Sequence, residues 1–133
     1  MPFVIDASAL LFATSDPEPG ARRLLGRLRD EVVHAPHLID AELGAVIRRK
    51  VLRDEMAEDR ATAILSSYPA LVDHRYEHHG LLAALAWQLR DNLSFYDALY
   101  VGLGASLELE VITLDTRVAN APGLPTRVTI ATA

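Results

Sequence analysis

The sequence contains no cysteine, so thiol catalysis, cysteine-bound zinc and cysteine-ligated iron–sulfur clusters are excluded at once. It therefore carries no sign of an oxidising compartment, where small domains lean on disulfides, and a cytoplasmic location is expected. Lysine is nearly missing. Lys50 stands alone against twelve arginines, which leaves most positive charge on groups suited to bidentate carboxylate or phosphate contacts. Long apolar runs are also absent: Leu81–Leu89 is interrupted by Gln88 and bounded by Arg90 and Asp91, short of the roughly 18 residues that a membrane span needs. Met1-Pro2-Phe3-Val4-Ile5-Asp6 has neither a basic region nor a cleavage site, so neither a signal peptide nor a membrane role is expected.

What remains is a chain of 133 residues, half of them apolar, with a formal charge of −5. That length and composition fit one domain over residues 1–133, large enough to build a core without metal or disulfide staples. The acidic balance excludes a grip on nucleic acid through overall basicity and leaves only local patches for such a role.

Apolar runs and helical periodicities alternate along the chain. Phe3-Val4-Ile5 reads as a buried strand ended by Asp6, with Ser8 placed to open a helix over Ala9–Ala13. Leu24, Leu25 and Leu28 mark one face of a helix that ends near Asp30, and Val32–Ala35 reads as a second strand closed by Pro36. Ile39, Leu43, Val46 and Ile47 recur at steps of three and four, with Arg48 and Arg49 off that face. Glu55–Ser67 gives a further helix stopped by Pro69, and Leu71-Val72 a weak third strand. Leu81–Asn92 and Phe95–Leu107 are helices, the second capped by Ser94, and Val111–Thr113 and Val128–Ile130 are strands. This interleaving predicts an α/β fold with a central, mainly parallel sheet of about five short strands and helices on both faces. Ligands in such folds bind outside the carboxyl ends of the strands.

Four acids stand out against that pattern. Asp6 and Asp115 each follow a buried strand, while Glu42 and Asp97 interrupt apolar helical stretches. Carboxylates near a core are costly unless paired, hydrogen-bonded or metal-bound, and oxygen-only ligation suits Mg²⁺ or Mn²⁺. Such a set points to metal-assisted phosphodiester hydrolysis. Each acid also has a structural reading: Asp6 and Asp115 as helix caps, and Asp97 as the acidic end of a Ser94-x-x-Asp97 capping box. Glu42 has the weakest, since it lies three residues after Ile39 and four before Val46 on the apolar stripe.

Val4-Ile5-Asp6-Ala7-Ser8-Ala9-Leu10 resembles the opening motif of PIN-domain nucleases, and Asn92-Leu93-Ser94-Phe95-Tyr96-Asp97-Ala98-Leu99-Tyr100-Val101 resembles the third acidic motif of their VapC toxin branch. Thr113-Leu114-Asp115-Thr116-Arg117 with Asn120–Leu124 is similar to that branch's C-terminal motif, and Pro36 with Asp40-Ala41-Glu42 to its second acidic segment. The resemblance spans nearly the whole chain. It implies a PIN-like domain acting as a metal-dependent endoribonuclease toxin of a type II toxin–antitoxin system, cutting RNA with Mg²⁺ or Mn²⁺ and silenced by a cognate VapB-type antitoxin. Asp6, Glu42, Asp97 and Asp115 match the acidic quartet, implied both as catalytic residues and as metal ligands, with Ser8 and Thr113 at the supporting hydroxyl positions. A homodimer is implied as well, and an apolar groove between helices is the expected seat of the antitoxin.

Two alternatives stand beside this reading. A haloacid dehalogenase-like phosphatase also begins with a strand ending in Asp, but wants a second Asp where Ser8 stands. A catalytically silent interaction module would keep the fold and lose an acid, whereas all four are present. Neutralising the quartet would bring the formal charge of −5 to −1, so basic groups need only flank it. Arg22, Arg23, Arg27 and Arg29 on one helix, and Arg48, Arg49, Lys50 and Arg53 on another, are candidates to track phosphates. His74, His78 and His79 read as a surface turn before Gly80, and Trp87 as a core residue.

Overall fold

The computed structural model describes residues 1–131. Its strands are β1 (Phe3–Ile5), β2 (Val33–Pro36), β3 (His74–Tyr76), β4 (Val111–Thr113) and β5 (Val128–Ile130). The helices are α1 (Ala7–Ser15), α2 (Pro19–Asp30), α3 (Leu38–Leu52), α4 (Glu58–Ser67), α5 (Leu81–Gln88), α6 (Phe95–Leu107) and α7 (Thr116–Ala119). The strands pair in the order β3-β2-β1-β4-β5, all parallel. No helix among the described residues is long and apolar enough to cross a membrane.

Every residue of β1 and β4 is buried, and successive strand residues point to opposite faces, so both faces of the sheet centre are covered. α6 packs against β1, β2 and β4, with α5 along it, while α1 contacts α2, α3 and β4. Close approach of α6 to the sheet depends on Gly104: a Cβ there would lie 2.6 Å from Val111 Cγ2 and 2.9 Å from the Leu109 carbonyl oxygen.

The strand order fixes where a site can form. From β1 the chain winds outward to β2 and β3, then returns to β4 on the opposite side of β1 and continues to β5. The β1–β4 pair is thus the point where the winding reverses, and its carboxyl end opens into the crevice that such sheets offer to ligands. Asp6 directly follows β1, and Asp115 lies two residues beyond β4.

Several sequence expectations need correction. The third strand is His74–Tyr76, not Leu71-Val72; Leu71 ends a short 3-10 turn begun at Tyr68, and buried Val72 anchors the approach to the strand. The helix from Leu81 stops at Gln88, four residues before Asn92, and the helix expected over Glu55–Ser67 begins at Glu58. Trp87 is 61% exposed rather than in the core, because α5 buries only Leu82 and Ala86; the Arg90 guanidinium covers its ring at 4.9 Å. His74 belongs to β3, while His78 accepts the Leu38 N–H at 2.8 Å at the start of α3.

Candidate active site

α1 starts one residue after β1, and its cap is Asp6 rather than Ser8: Asp6 Oδ1 accepts the Ala9 N–H at 2.9 Å. Ser8 lies inside the first turn and donates its hydroxyl to the same Oδ1 at 2.7 Å. Thr113, wholly buried at the end of β4, needs a partner for its hydroxyl and donates it to Asp6 Oδ2. The two hydroxyl oxygens are themselves oriented by backbone, Ser8 Oγ accepting the Leu114 N–H and Thr113 Oγ1 the Asp115 N–H, each at 3.0 Å. Asp6 is therefore locked in place by three donors. A carboxylate offers about four lone-pair directions, so one on Oδ2 is left to face the cavity.

Glu42 projects from α3. The apolar stripe read from the sequence splits in two here: Ile39, Leu43 and Ile47 form the buried face, while Glu42, Val46 and Lys50, four residues apart, turn toward the cavity. Tyr100, on α6 and buried, donates its hydroxyl to Glu42 Oε1 at 2.6 Å. No sequence signal singled out that partnership; its trace is the spacing of three between Asp97 and Tyr100, which sets both on one face of α6. Ser94 caps this helix by accepting the Asp97 N–H at 3.2 Å, so the cap uses the backbone of Asp97 and not its carboxylate.

Asp6, Glu42, Asp97 and Asp115 all line one cavity of about 360 Å³ at the carboxyl end of the sheet. Burial raises the pKa of Asp6 above the usual carboxylate range, against the lowering pull of Thr113, Ala9 and Ser8, and the charge of Asp97 pushes it further up. Burial likewise raises Glu42, with the Tyr100 hydroxyl opposing and the charges of Asp97 and Asp6 adding. Asp6 and Glu42 thus both feel the charge of Asp97. Asp115 stands apart: it caps α7, accepting the Arg117 N–H at 2.9 Å, and the exposed Arg117 guanidinium contacts its Oδ2 at 2.9 Å and lowers its pKa.

Among the described residues, no three acidic or histidine side chains stand close enough to hold a metal ion directly. The donor chemistry nevertheless suits a hard cation that keeps its water: oxygen donors only, mutual repulsion that a positive charge would relieve, and a free lone pair on Asp6. Mg²⁺ typically binds through one or two carboxylates and completes its shell with water.

A PIN domain family model matches residues 3–124. Ribonuclease VapC1 of Mycobacterium tuberculosis (strain ATCC 25618 / H37Rv) is 47% identical over 122 residues, which cover 92% of each chain. Ribonuclease VapC9 of the same strain is 36% identical over 117 residues, 88% of each chain. In fold, the chain is similar to DNA-bound VapBC from Salmonella typhimurium, with a TM-score of 0.72 at 16% identity over 99% of each chain. The chain therefore belongs to the PIN-domain family, in its VapC ribonuclease branch.

Proposed function

We propose that the protein is a metal-dependent endoribonuclease that hydrolyses RNA phosphodiester bonds and serves as the toxin of a toxin–antitoxin pair. The observation that carries the chemistry is the shared cavity: four acids from four separate segments line it at the point where the sheet reverses its winding. The relatives' ribonuclease names supply the substrate class.

Asp6 and Asp97 would hold Mg²⁺ or Mn²⁺, with Glu42 and Asp115 acting through water. When bound, the cation supplies Lewis acidity and offsets negative charge at phosphorus. Ser8 and Thr113 keep Asp6 in one orientation, so the carboxylate need not reorganise as charge develops. Glu42 has Oε1 fixed by Tyr100, leaving Oε2 to take the proton of an attacking water; its raised pKa makes it a better base for that task. Water attacks phosphorus and the bond to the 3′ oxygen breaks, that oxygen leaving with a proton, so the ends are a 5′-phosphate and a 3′-hydroxyl. The partner we infer is a VapB-type antitoxin, with an apolar groove of about 180 Å³ between α5 and α6, lined by Leu82, Leu85, Leu103 and Leu107, as its candidate seat. A homodimer working in the cytoplasm belongs to the same reading.

The test is cleavage of mixed cellular RNA by the purified chain, with and without Mg²⁺ or Mn²⁺, followed by mapping of the ends. Cutting that needs the ion, leaves 5′-phosphates and drops more than about 100-fold in Asp97→Asn is expected, a larger loss than removal of a merely supporting partner causes. Asn preserves the backbone bond to Ser94, so its melting curve should stay near that of the parent chain. Cutting that survives EDTA overturns the metal mechanism, and no cutting of any RNA overturns the activity.

A further inference from the structure

The structure separates the eight candidate cations, seven on α2 and α3 and Arg53 at the cap that ends α3. Arg27 is engaged with Glu31 and Glu110 and lies 4.7 Å over the Phe3 ring, and Arg22, Arg23, Arg29, Arg48, Arg49 and Arg53 are exposed and outside the lining of the acidic cavity. Among the described residues, Lys50 is the one cation in the lining of the acidic cavity, which it shares with Asp6, Asp16, Glu42, Asp97 and Asp115; at the rim, Arg117 is engaged with Asp115 and Arg60 with the Ser15 carbonyl. It sits two turns beyond Glu42 on the same face of α3, about 12 Å along the axis. Its ion-pair partner, Glu55, is 3.9 Å away and half exposed, a contact that costs little to exchange.

A phosphodiester entering this cavity carries its negative charge into a ring of carboxylates, and past the reacting phosphate the next one along the strand meets the same field. We propose that Lys50 binds a backbone phosphate of the RNA adjacent to the one that is cut, and so sets which stretch of the strand lies over Asp6 and Asp97. The contact is a point charge on a non-reacting phosphate: it positions RNA in any sequence and reads none. This inference rests on the ribonuclease reading above. A purely structural role would be complementing the negative end of α3, and Arg49, in the same last turn but off the cavity, provides the control.

The experiment measures binding of a labelled single-stranded RNA oligonucleotide to the cleavage-silent Asp97→Asn chain in Mg²⁺ over a series of salt concentrations, beside cleavage by the parent chain. Adding Lys50→Gln should weaken binding roughly threefold to tenfold at low salt and flatten the slope of log affinity against log salt by about 0.7. Lys50→Arg should restore both, and Arg49→Gln should change neither. Because Lys50 is the only lysine, acetylation of its amine can be followed by peptide mass, with the Met1 amine as internal reference. RNA should slow acetylation at Lys50 alone. Unchanged affinity and slope in Lys50→Gln with a normal melting curve, equal weakening by Arg49→Gln, or protection of Lys50 by an acidic peptide but not by RNA would each overturn the proposal. Failure of this kind in a chain that still cuts RNA leaves the ribonuclease reading standing; absence of both binding and cutting removes the two together.

Discussion

Outside the cleft, Asp40 and Glu31 are matched with cations; inside, Asp6 and Glu42 are held by hydroxyls. Asp40 accepts Arg75 Nε at 2.8 Å and Nη2 at 3.0 Å and the Tyr68 hydroxyl at 2.6 Å; burial alone would raise its pKa, but these donors bring it below the ordinary value. Glu31, bonded to Arg27 and paired with the amino terminus, is lowered to about 2. Asp6 and Glu42 are raised instead, because burial outweighs the lowering pull of neutral hydroxyls, which orient a carboxylate without cancelling its charge. A fold that can pair its acids and leaves these unpaired keeps negative charge where a ligand can use it, as sites do when their geometry is paid for by stability elsewhere. Asp115 lies between the two cases, lining the cavity yet clasped by Arg117.

The sharpest way to break this contrast is Thr113→Val, which keeps the shape at the end of β4 and removes one donor from Asp6. The cleavage rate should fall roughly 10–100-fold. Since that bond lowers the pKa of Asp6, its loss raises the pKa further, and the acidic limb of the rate–pH profile should move to higher pH. An unaltered rate and profile would reduce Thr113 to packing. Asp40→Asn probes the paired set: unfolding by denaturant should show a loss of about 1–2 kcal/mol, discounted for partial exposure, with cleavage per folded molecule unchanged. The smallest effect belongs to Glu31→Gln, about 1 kcal/mol or less at neutral pH because Arg27 is partly solvated. Here the sign is fixed by linkage. A depressed pKa stabilises the fold above 4.5 and loses that contribution as pH falls toward about 2, so parent and variant should converge over that interval. A gap that persists at pH 2 would contradict the pairing.

How much of this was legible in the sequence follows from burial. β1 and β4 are covered on both faces, so they are written as continuous apolar runs, Phe3-Val4-Ile5 and Val111-Ile112-Thr113, and could be read directly. β3 is an edge strand whose residues His74-Arg75-Tyr76 are exposed or half-buried, and the nearby apolar pair Leu71-Val72 drew the reading aside. Trp87 misled for a related reason: helical spacing places it on α5 but says nothing of which face finds a neighbour, and Leu82 and Ala86 take the buried one. Asp6 was legible as a strand-end acid. Its two hydroxyl donors were legible only through family resemblance, since Ser8 and Thr113 meet across 105 positions of sequence. Tyr100 holding Glu42, across 58 positions, left only its spacing of three from Asp97, which names no partner.

The bond from Thr113 to Asp6 spans 107 positions. Because a ribosome makes the chain from the amino end, Asp6 emerges 107 positions ahead of the donor that helps to fix it. For an enzyme whose proposed substrate is RNA, a product cut short before β4 would lack both Thr113 and Asp115 and so could not assemble the site described above.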